Sequence, residues 1–348
     1  MEEYNFDIEQ LIGRRVSLDT SDDALKALKG KFVAVTGAAG SIGSGICRQL
    51  MRQCEPSGLL LIDNAETPLH NLRLELGGKT PCDTFFVIAD IRDKRRIQHL
   101  FEKHRPDVVF HAAAYKHVPM MEENPYEAAL VNVIGTKNVA DTAASCHCDT
   151  FILASTDKAV EATGILGATK RLAEIYIQSR DTATKFLTVR FGNVTDSNGS
   201  VLPLFRQQIA NGGPVTVTDS RMTRYFMTIP EACRLIIEAY ALGIDNDTFL
   251  FDMGEPVSMM TIAHKMIELS GRNDIEIAET GIRPGEKITE KLLNTGETTV
   301  KTSHPRIEKV LTRHISTGQA DNIIDTIAEA IASCDDEKIA KTIKGLAE

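Results

Sequence analysis

The chain has 348 residues, of which 43% are hydrophobic and 25% are charged, which is typical of a globular protein with one or two domains. Its formal net charge of −9 argues against nucleic acid or an anionic membrane as the main partner. Neither a signal peptide nor the run of roughly twenty apolar residues that spans a membrane is apparent, so we expect a cytoplasmic protein.

The seven cysteines are odd in number and follow no framework spacing. We therefore expect reduced thiols rather than disulfides. Cys146-His147-Cys148 has the residue types of a zinc site but no second ligand pair nearby, so no metal site is predicted.

Residues 1–30 carry mixed charge without a strong period, and we expect a surface arm or an oligomer contact. A strand is predicted at 31–35, followed by a glycine-rich turn and a helix. Glycines in this context give a tight turn and let the backbone approach a pyrophosphate, whose charge the helix amides would meet. The residues predicted to hold a dinucleotide here are Gly37, Ala39, Gly40, Ser41, Ile42 and Gly43.

A second strand, 59–62, ends in Asp63, about twenty residues after the last glycine, where a carboxylate can hold the adenosine ribose hydroxyls. Asn64 and Ala65 follow, and neither is an arginine that would receive a 2′-phosphate. The pattern favours NAD over NADP.

Strands and helices alternate onward, which predicts an α/β fold with a doubly wound parallel sheet (Rossmann). The predicted strands are 85–89, 108–110, 151–154 and 186–190, and the predicted helices are 93–103, 125–144 and 166–180. In such a sheet the ligand lies beyond the carboxyl ends of the strands. Further candidates for the cofactor site are therefore Asp90, Ile91, Ala112, Ala113 and Ala114. We assign 31–195 to an NAD-binding domain.

Beyond residue 195 the segments become shorter and richer in turns. We interpret 196–348 as a smaller C-terminal substrate domain that closes over the crevice, with helices such as 229–242 packing back on the sheet. The last thirty residues are predicted to form one amphipathic helix.

Ser155-Thr156-Asp157-Lys158 ends an apolar strand, and Leu166-Gly167-Ala168-Thr169-Lys170 follows. This places an acid and an amine where a nicotinamide enzyme does its chemistry. A solvated Asp-Lys pair in a loop is the alternative, and the position after a sheet strand argues against it.

The chain resembles the extended short-chain dehydrogenases/reductases and, more narrowly, the polysaccharide-biosynthesis branch of UDP-N-acetylglucosamine 4,6-dehydratases. The motifs that carry the resemblance extend beyond the glycine turn and are Lys116-His-Val-Pro119, Ser155-Thr-Asp-Lys158, Gly167-Ala-Thr-Lys170, Arg190-Phe-Gly-Asn193, Asn198-Gly-Ser-Val201, Met222-Thr-Arg-Tyr-Phe226 and Arg283-Pro-Gly-Glu-Lys287. The resemblance implies a homo-oligomer that binds NAD and a UDP-sugar.

The resemblance also implies roles for the strand-end residues. A dehydratase needs one acid and one base beyond the ordinary dehydrogenase set. We assign the acid role to Asp157 and the base role to Lys158, and Lys170 would bind the nicotinamide ribose.

Leu166 departs from the superfamily, which carries tyrosine there, while the larger dehydratases carry methionine. Three candidates are left to take the proton of the sugar O4: Thr156, Asp157 or a bound water. Two further departures are Glu161-Ala162, where the branch usually has Asn-Pro, and Thr195-Asp196.

The resemblance places the substrate among residues scattered over both halves. Arg224 and Arg283 are candidates to clamp the diphosphate, because a guanidinium matches phosphate oxygens. The other candidates for substrate binding are Lys116, Glu122, Asn193, Ser200, Val201 and Glu286.

Two alternatives to the dehydratase stay open. A nucleotide-sugar 4-epimerase needs the ketone but no base at C5, and the Asp157-Lys158 pair argues against it. A non-catalytic sugar-nucleotide binder is suggested by Leu166, whereas the presence of both Lys158 and Lys170 speaks against it.

Overall fold

A computed structural model describes residues 4, 6–16, 18, 22–77, 82–244, 246–312 and 315–348. Among them the strands, in chain order, are β1 (Phe32–Thr36), β2 (Gly58–Asp63), β3 (Asp83–Ile88), β4 (Val108–His111), β5 (Thr150–Ala154), β6 (Lys185–Arg190), β7 (Asn193–Val194), β8 (Val215–Val217), β9 (Thr223–Arg224), β10 (Phe226–Met227), β11 (Thr248–Phe251), β12 (Val257–Ser258), β13 (Ile277–Glu279), β14 (Thr298–Lys301) and β15 (Ile307–Leu311).

The helices surround these strands. In chain order they are α1 (Ile8–Ile12), α2 (Asp22–Leu28), α3 (Ser41–Gln53), α4 (Glu66–Leu76), α5 (Lys94–His104), α6 (Val118–Glu123), α7 (Pro125–Ala128), α8 (Thr136–Ser145), α9 (Ile165–Gln178), α10 (Val201–Ala210), α11 (Ile229–Leu242), α12 (Met259–Leu269), α13 (Thr317–Ala332) and α14 (Asp336–Ala347). A π-helical stretch, Ala129–Gly135, joins α7 to α8, and a 3-10 turn occupies Asp157–Ala159.

Nine of the strands form one sheet in the order β14-β15-β11-β6-β5-β4-β1-β2-β3. The seven strands from β3 to β11 pair in parallel, whereas β15 and β14 continue the sheet in antiparallel fashion. The chain thus winds outward from β1 to β3 and then returns to β4 on the other side of β1. The α/β doubly wound fold predicted from the sequence is confirmed.

Apolar residues cover both faces of this sheet. β1, β2 and β4 are almost wholly buried, as expected for parallel strands with helices on both sides. One face packs against α5, α8, α9, α13 and α14, and the other against α2, α3, α4 and α11. The residues before β1 contribute to the second of these cores through Leu28, which is fully buried.

A smaller, third core lies apart from the sheet. It is built from α1, α10, α12 and the short strand β8, with Leu11, Leu202 and Ile262 fully buried. Residues beyond 195 therefore contribute both to this core and, through β11, β14, β15 and α11, to the sheet layer. Residues 1–3, 5, 17 and 19–21 of the N-terminal arm lie outside the described residues.

The structure departs from the predicted elements at two places. The helix predicted at 125–144 is interrupted by the π-helical stretch, and the single helix predicted at the C-terminus is two helices, α13 and α14. The break falls at Cys334, whose φ of +51° lies in the left-handed region and cannot continue a right-handed helix. No helix in the described part of the chain is long and apolar enough to cross a membrane.

Candidate functional site

The carboxyl ends of the parallel strands lie along one edge of the sheet, and a cleft of about 270 Å³ opens there. It lies where the chain returns past β1, which is the position at which doubly wound sheets bind their ligands. The residues of the predicted cofactor site that line it are Gly37, Ala39, Gly40, Asp63, Asn64, Asp90, Ile91, Ala112, Ala113 and Ala114.

The glycine turn between β1 and α3 is packed too closely for side chains. A Cβ on Gly37 would lie 2.6 Å from the backbone N of Ala113, and one on Gly43 would lie 2.1 Å from the carbonyl oxygen of Gly37. Helix α3 begins at Ser41, and its N-cap Gly40 brings no side chain to its first amides. These amides are open to an anion, and Ile42 lies in the same first turn.

Two carboxylates flank the other end of the cleft. Asp63 accepts hydrogen bonds from the amides of Ala39 and Ala65, both at 2.9 Å, so it braces the glycine turn. Asp90 accepts two hydrogen bonds from the guanidinium of Arg92. Burial alone would raise the pKa of Asp90, but the bonds from Arg92 outweigh it and lower that pKa.

Lys170 lies on α9 and points its amine at the end of β5. Its Nζ donates to the carbonyl oxygen of Ala154 over 2.8 Å, and the residue is buried. Burial lowers the pKa of Lys170 to about 8, against the opposing effect of the Glu174 carboxylate. Leu166, one turn earlier on the same helix, is 4% exposed and belongs to the core on that face of the sheet.

Asp157 and Lys158 form a hydrogen-bonded ion pair just beyond β5. Lys158 Nζ lies 3.1 Å from Asp157 Oδ1 and 2.9 Å from Asn193 Oδ1. Thr156 donates its hydroxyl to the same Asp157 oxygen at 3.0 Å. Asp157 is fully buried, and its Oδ2 has no hydrogen-bond partner among the described residues. The structure thus brings together three of the candidate catalytic residues in one chain of contacts, with Asn193 beside them.

The loop before α10 lies at the cleft, which Asn198 lines. Lys116 Nζ donates to Ser197 Oγ at 3.3 Å, and loss of hydration lowers the pKa of Lys116. Ser200 is the N-cap of α10, which starts at Val201, and the Ser200 hydroxyl is buried without a hydrogen-bond partner in the described part of the chain. No side chain caps the first amides of α10, so these amides are open to an anion.

The two candidate arginines differ in what they contact. Arg224 is buried and donates to the carbonyl oxygens of Thr223, Lys287 and Ile288, so its guanidinium holds the 283–290 segment in place. The Arg283 side chain is 53% exposed and is ion-paired with Glu286 at 2.5 Å. Of the two, Arg283 is the one whose guanidinium is accessible to a ligand.

Glu122 is placed differently from a residue that faces a sugar. Its Oε1 accepts a hydrogen bond from the amide of Ile165 at 2.5 Å, and its Oε2 pairs with Lys344 at 3.1 Å. Helix α9 has Gly164 as N-cap, which lacks a capping side chain, so Glu122 supplies the missing acceptor. Both carboxylate oxygens are therefore engaged in holding α9 and α14.

Asp196, one of the departures from the family pattern, forms an ion pair with Arg206 at 3.0 Å. Glu161 similarly contacts Lys291 at 2.6 Å and Thr295 at 3.0 Å. Both departures form local contacts of their own rather than leaving a carboxylate unpaired.

The sequence interpretation missed Glu290, a buried carboxylate 3.8 Å from Lys158 Nζ. It also missed Arg190 as a structural residue: this fully buried guanidinium pairs with Glu174 and Glu297, both at 2.7 Å. No local spacing points to either contact, because the partners come from distant parts of the chain.

Comparison with known proteins decides the family. A family model described as "Polysaccharide biosynthesis protein" matches residues 33–312. The chain belongs to this family. It is 49% identical over 306 residues to the "Probable polysaccharide biosynthesis protein EpsC" of Bacillus subtilis, a match that covers 86% of this chain and 51% of that protein. The chain therefore spans about half the length of this relative.

The motifs predicted a resemblance to the capsule-type branch of extended short-chain dehydrogenases/reductases. The comparisons confirm this resemblance. The X-ray structure of Pen from Bacillus thuringiensis shares 33% identity and a TM-score of 0.76, over 85% of this chain and 98% of that one.

More distant relatives carry two activities in their names. A Campylobacter jejuni "UDP-N-acetylglucosamine 4,6-dehydratase (inverting)" is 30% identical over 77% of this chain and 79% of its own length. A Rickettsia rickettsii "UDP-glucose 4-epimerase" is 32% identical over 77% and 79%.

Proposed function

We propose that the protein is an NAD-dependent 4,6-dehydratase that removes water from UDP-N-acetylglucosamine or a close UDP-N-acetylhexosamine, for surface-polysaccharide or glycan precursor synthesis. The observation that carries the proposal is the hydrogen-bonded Asp157–Lys158 pair just beyond β5. An acid and an amine in contact at a strand end beside a dinucleotide-type cleft are the groups that dehydration adds to a dehydrogenase site. The activity named for the Campylobacter jejuni relative supports the choice of substrate.

The cleft fits NAD. The glycine turn packs so closely against the backbone of Ala112 and Ala113 that Gly37 has no room for a Cβ, and the first amides of α3 lack a capping side chain. Asp63 would hold the adenosine ribose hydroxyls, and its charge would oppose a 2′-phosphate. Lys170, fixed by Ala154, would hold the nicotinamide ribose. NAD, when bound, supplies the hydride acceptor for C4 of the sugar and the hydride donor for C6.

The proton transfers of the proposed dehydration are assigned to side chains just beyond β5. With a carbonyl at C4, the C5 proton is acidic and Lys158, as the free amine, removes it. The C6–O bond then breaks as Asp157 gives its proton to the departing hydroxyl, so that water leaves and a C5–C6 double bond forms. Lys158 returns its proton to C5 when C6 is reduced, and the net change is the loss of one water molecule.

Thr156 offers a path for the O4 proton, because residue 166 is leucine and not tyrosine. Its hydroxyl donates to Asp157 Oδ1, so it is able to take the O4 proton while passing its own to Asp157. That transfer would leave Asp157 protonated, which is the form needed at C6. The other two routes are direct transfer of the O4 proton to Asp157 and transfer of that proton through a bound water.

The substrate diphosphate would lie at the start of α10. Ser200 has a buried hydroxyl without a partner among the described residues, and the helix amides begin at Val201. Lys116 donates a hydrogen bond to Ser197, and Arg283, whose side chain is accessible, is a further candidate to contact the diphosphate. Asn193, bonded to Lys158, would place the sugar relative to the base.

A 4-epimerase is the second candidate, because a relative of similar identity has that activity in its name. The two functions give products of different mass. The test is a mass-resolved assay of the purified protein with UDP-N-acetylglucosamine and NAD. A product lighter by one water molecule supports dehydration, an unchanged mass with a new C4 configuration supports epimerisation, and binding without reaction supports a sugar-nucleotide binder.

Lys158→Met tests the assignment of the base. We expect turnover to fall by at least about 100-fold, since general acid–base groups contribute on this scale, while NAD binding is retained. Lys341→Met, at an exposed position on α14, is the matched control and should keep wild-type turnover. Full dehydration by the Lys158→Met protein would show that another group removes the C5 proton.

A further inference from the structure

A buried carboxylate outside the assigned catalytic set lies beside Lys158. Glu290 is 4% exposed, and its Oε1 lies 3.8 Å from Lys158 Nζ. Its Oε2 lies 3.5 Å from Lys287 Nζ but has no hydrogen-bond partner within the described ranges. Glu290 is thus a buried carboxylate that faces Lys158 with Oε1 and Lys287 with Oε2.

Lys158 faces three acceptors, which matches the three N–H bonds of an ammonium group. Asp157 and Asn193 are within hydrogen-bond distance, and Glu290 lies slightly beyond it. In this arrangement no lone pair on Nζ is directed at a substrate. To remove a proton from carbon, Lys158 must first transfer one of its own protons to a neighbouring group.

Asp157 also contacts the Lys158 amine, but in the proposed reaction it is needed for a different proton. Its Oδ1 already accepts from both Thr156 and Lys158, and in the proposed reaction it receives the O4 proton instead. A single carboxylate cannot take the proton of O4 and the proton of Lys158 in the same turnover. The second carboxylate beside the amine is Glu290.

We propose that Glu290 is a positioning residue that accepts and holds the proton of Lys158, so that Lys158 acts as a free amine while Asp157 stays available for the O4 proton. The proton moves from Nζ to the Glu290 carboxylate, the lone pair on Nζ then takes the C5 proton, and the Glu290 proton returns when C5 is reprotonated and Lys158 is restored. The transfer needs the two atoms to approach by about 1 Å, to ordinary hydrogen-bond length. The inference rests on the proposed dehydration.

Anchoring of Glu290 supports this assignment. Lys287, three residues before Glu290, donates a hydrogen bond to the carbonyl oxygen of Val160 at 2.6 Å. Arg224 donates hydrogen bonds to the carbonyl oxygens of Lys287 and Ile288. The backbone that carries Glu290 is therefore fixed against the strand-end segment that carries Lys158. Such support is what a proton-transfer group requires of its surroundings.

The test compares Glu290→Gln, which keeps the shape but cannot take up the proton, with Glu290→Asp, which keeps the carboxyl group. With UDP-N-acetylglucosamine deuterated at C5, we expect Glu290→Gln to lower kcat at least about tenfold and to increase the isotope effect on kcat. The KM for the UDP-sugar should stay within about twofold, because Glu290 acts through Lys158 and not on binding. Glu290→Asp should recover part of the loss.

Glu276→Gln, an exposed carboxylate just before β13, is the control and should leave turnover and isotope effect at wild-type values. Wild-type kcat in Glu290→Gln would overturn the proposal. So would a slow variant with an unchanged isotope effect and a lowered melting temperature, because that combination marks a purely structural role.

The wild-type protein in the same assay separates this inference from the function on which it rests. If the wild type releases no water from the sugar, the proposed function fails and the role of Glu290 fails with it. If the wild type dehydrates the sugar and Glu290→Gln does so equally well, only the role of Glu290 is refuted.

Discussion

The amine of Lys170 donates a hydrogen bond to the carbonyl oxygen of Ala154 over 2.8 Å, which ties α9 to the last residue of β5. Lys170 is only 5% exposed. Burial lowers its pKa from 10.5 to about 8, although the carboxylate of Glu174 acts in the opposite direction. Burial thus disfavours the charged form of the Lys170 amine. The free energy of unfolding should therefore depend on pH.

Lys170→Met should remove a dependence of stability on alkaline pH. Between pH 8 and 10.5 unfolded Lys170 is protonated while folded Lys170 is not, so the unfolding free energy of the wild type rises with pH. The wild type should gain up to about 1.4 kcal/mol per pH unit relative to the variant in this window. Denaturant unfolding of both proteins across this pH range measures the difference between their unfolding free energies. The titration of the other lysines and of the tyrosines is common to both proteins and cancels in this difference. Parallel pH profiles would contradict the lowered pKa.

A second prediction concerns the close packing of the glycine turn. A Cβ on Gly43 would lie 2.1 Å from the carbonyl oxygen of Gly37, and backbone atoms there cannot move aside easily. Gly43→Ala should destabilise the protein by roughly 1–3 kcal/mol and weaken NAD binding by displacing the turn. Denaturant unfolding and a titration with NAD give the two values.

Gly345→Ala is the matched control, since this glycine also lies in a helix, α14, but has open space around its Cβ position. It should be neutral or stabilising by up to about 1 kcal/mol, because alanine favours the helix. Equal stability of the two variants would show that the turn relaxes around the added methyl group.

The parts of this site that could be predicted from the sequence are those encoded locally. The glycine turn follows an apolar strand directly, and Asp157 and Lys158 are adjacent in the chain and come directly after β5. The rule that ligands bind at the carboxyl ends of parallel strands was then sufficient to bring Asp63, Asp90 and Lys158 to one edge. The fold class followed from the same alternation.

The contacts that were not predicted join residues far apart in the chain. Glu122 accepts from Ile165 and pairs with Lys344, and Glu290 approaches Lys158 from the other half of the molecule. A carboxylate that caps a helix and one that faces a ligand have the same residue type, so the sequence does not separate them. The break between α13 and α14 was missed because both helices are amphipathic and only three residues separate them.

Leu166 occupies the position at which the superfamily carries tyrosine, and its surroundings define the last prediction. It is 4% exposed in the first turn of α9 and packs in the core that also contains Ile165 and Leu172. A phenol placed there would add volume and a hydroxyl to a nearly closed apolar site.

Leu166→Met, which conserves volume, should cost less than about 1.5 kcal/mol of stability, whereas Leu166→Tyr should cost roughly 1–3 kcal/mol. If Thr156 and Asp157 carry the O4 proton as proposed, neither variant should raise turnover by more than about twofold, because the added phenol would duplicate an existing path. Denaturant unfolding and initial rates of water loss measure both effects. A rate gain of tenfold or more in Leu166→Tyr would instead show that proton transfer from O4 limits the wild type, since about tenfold corresponds to 1.4 kcal/mol of barrier. The hydrogen bond from Thr156 to Asp157 would then be a structural contact rather than a proton path.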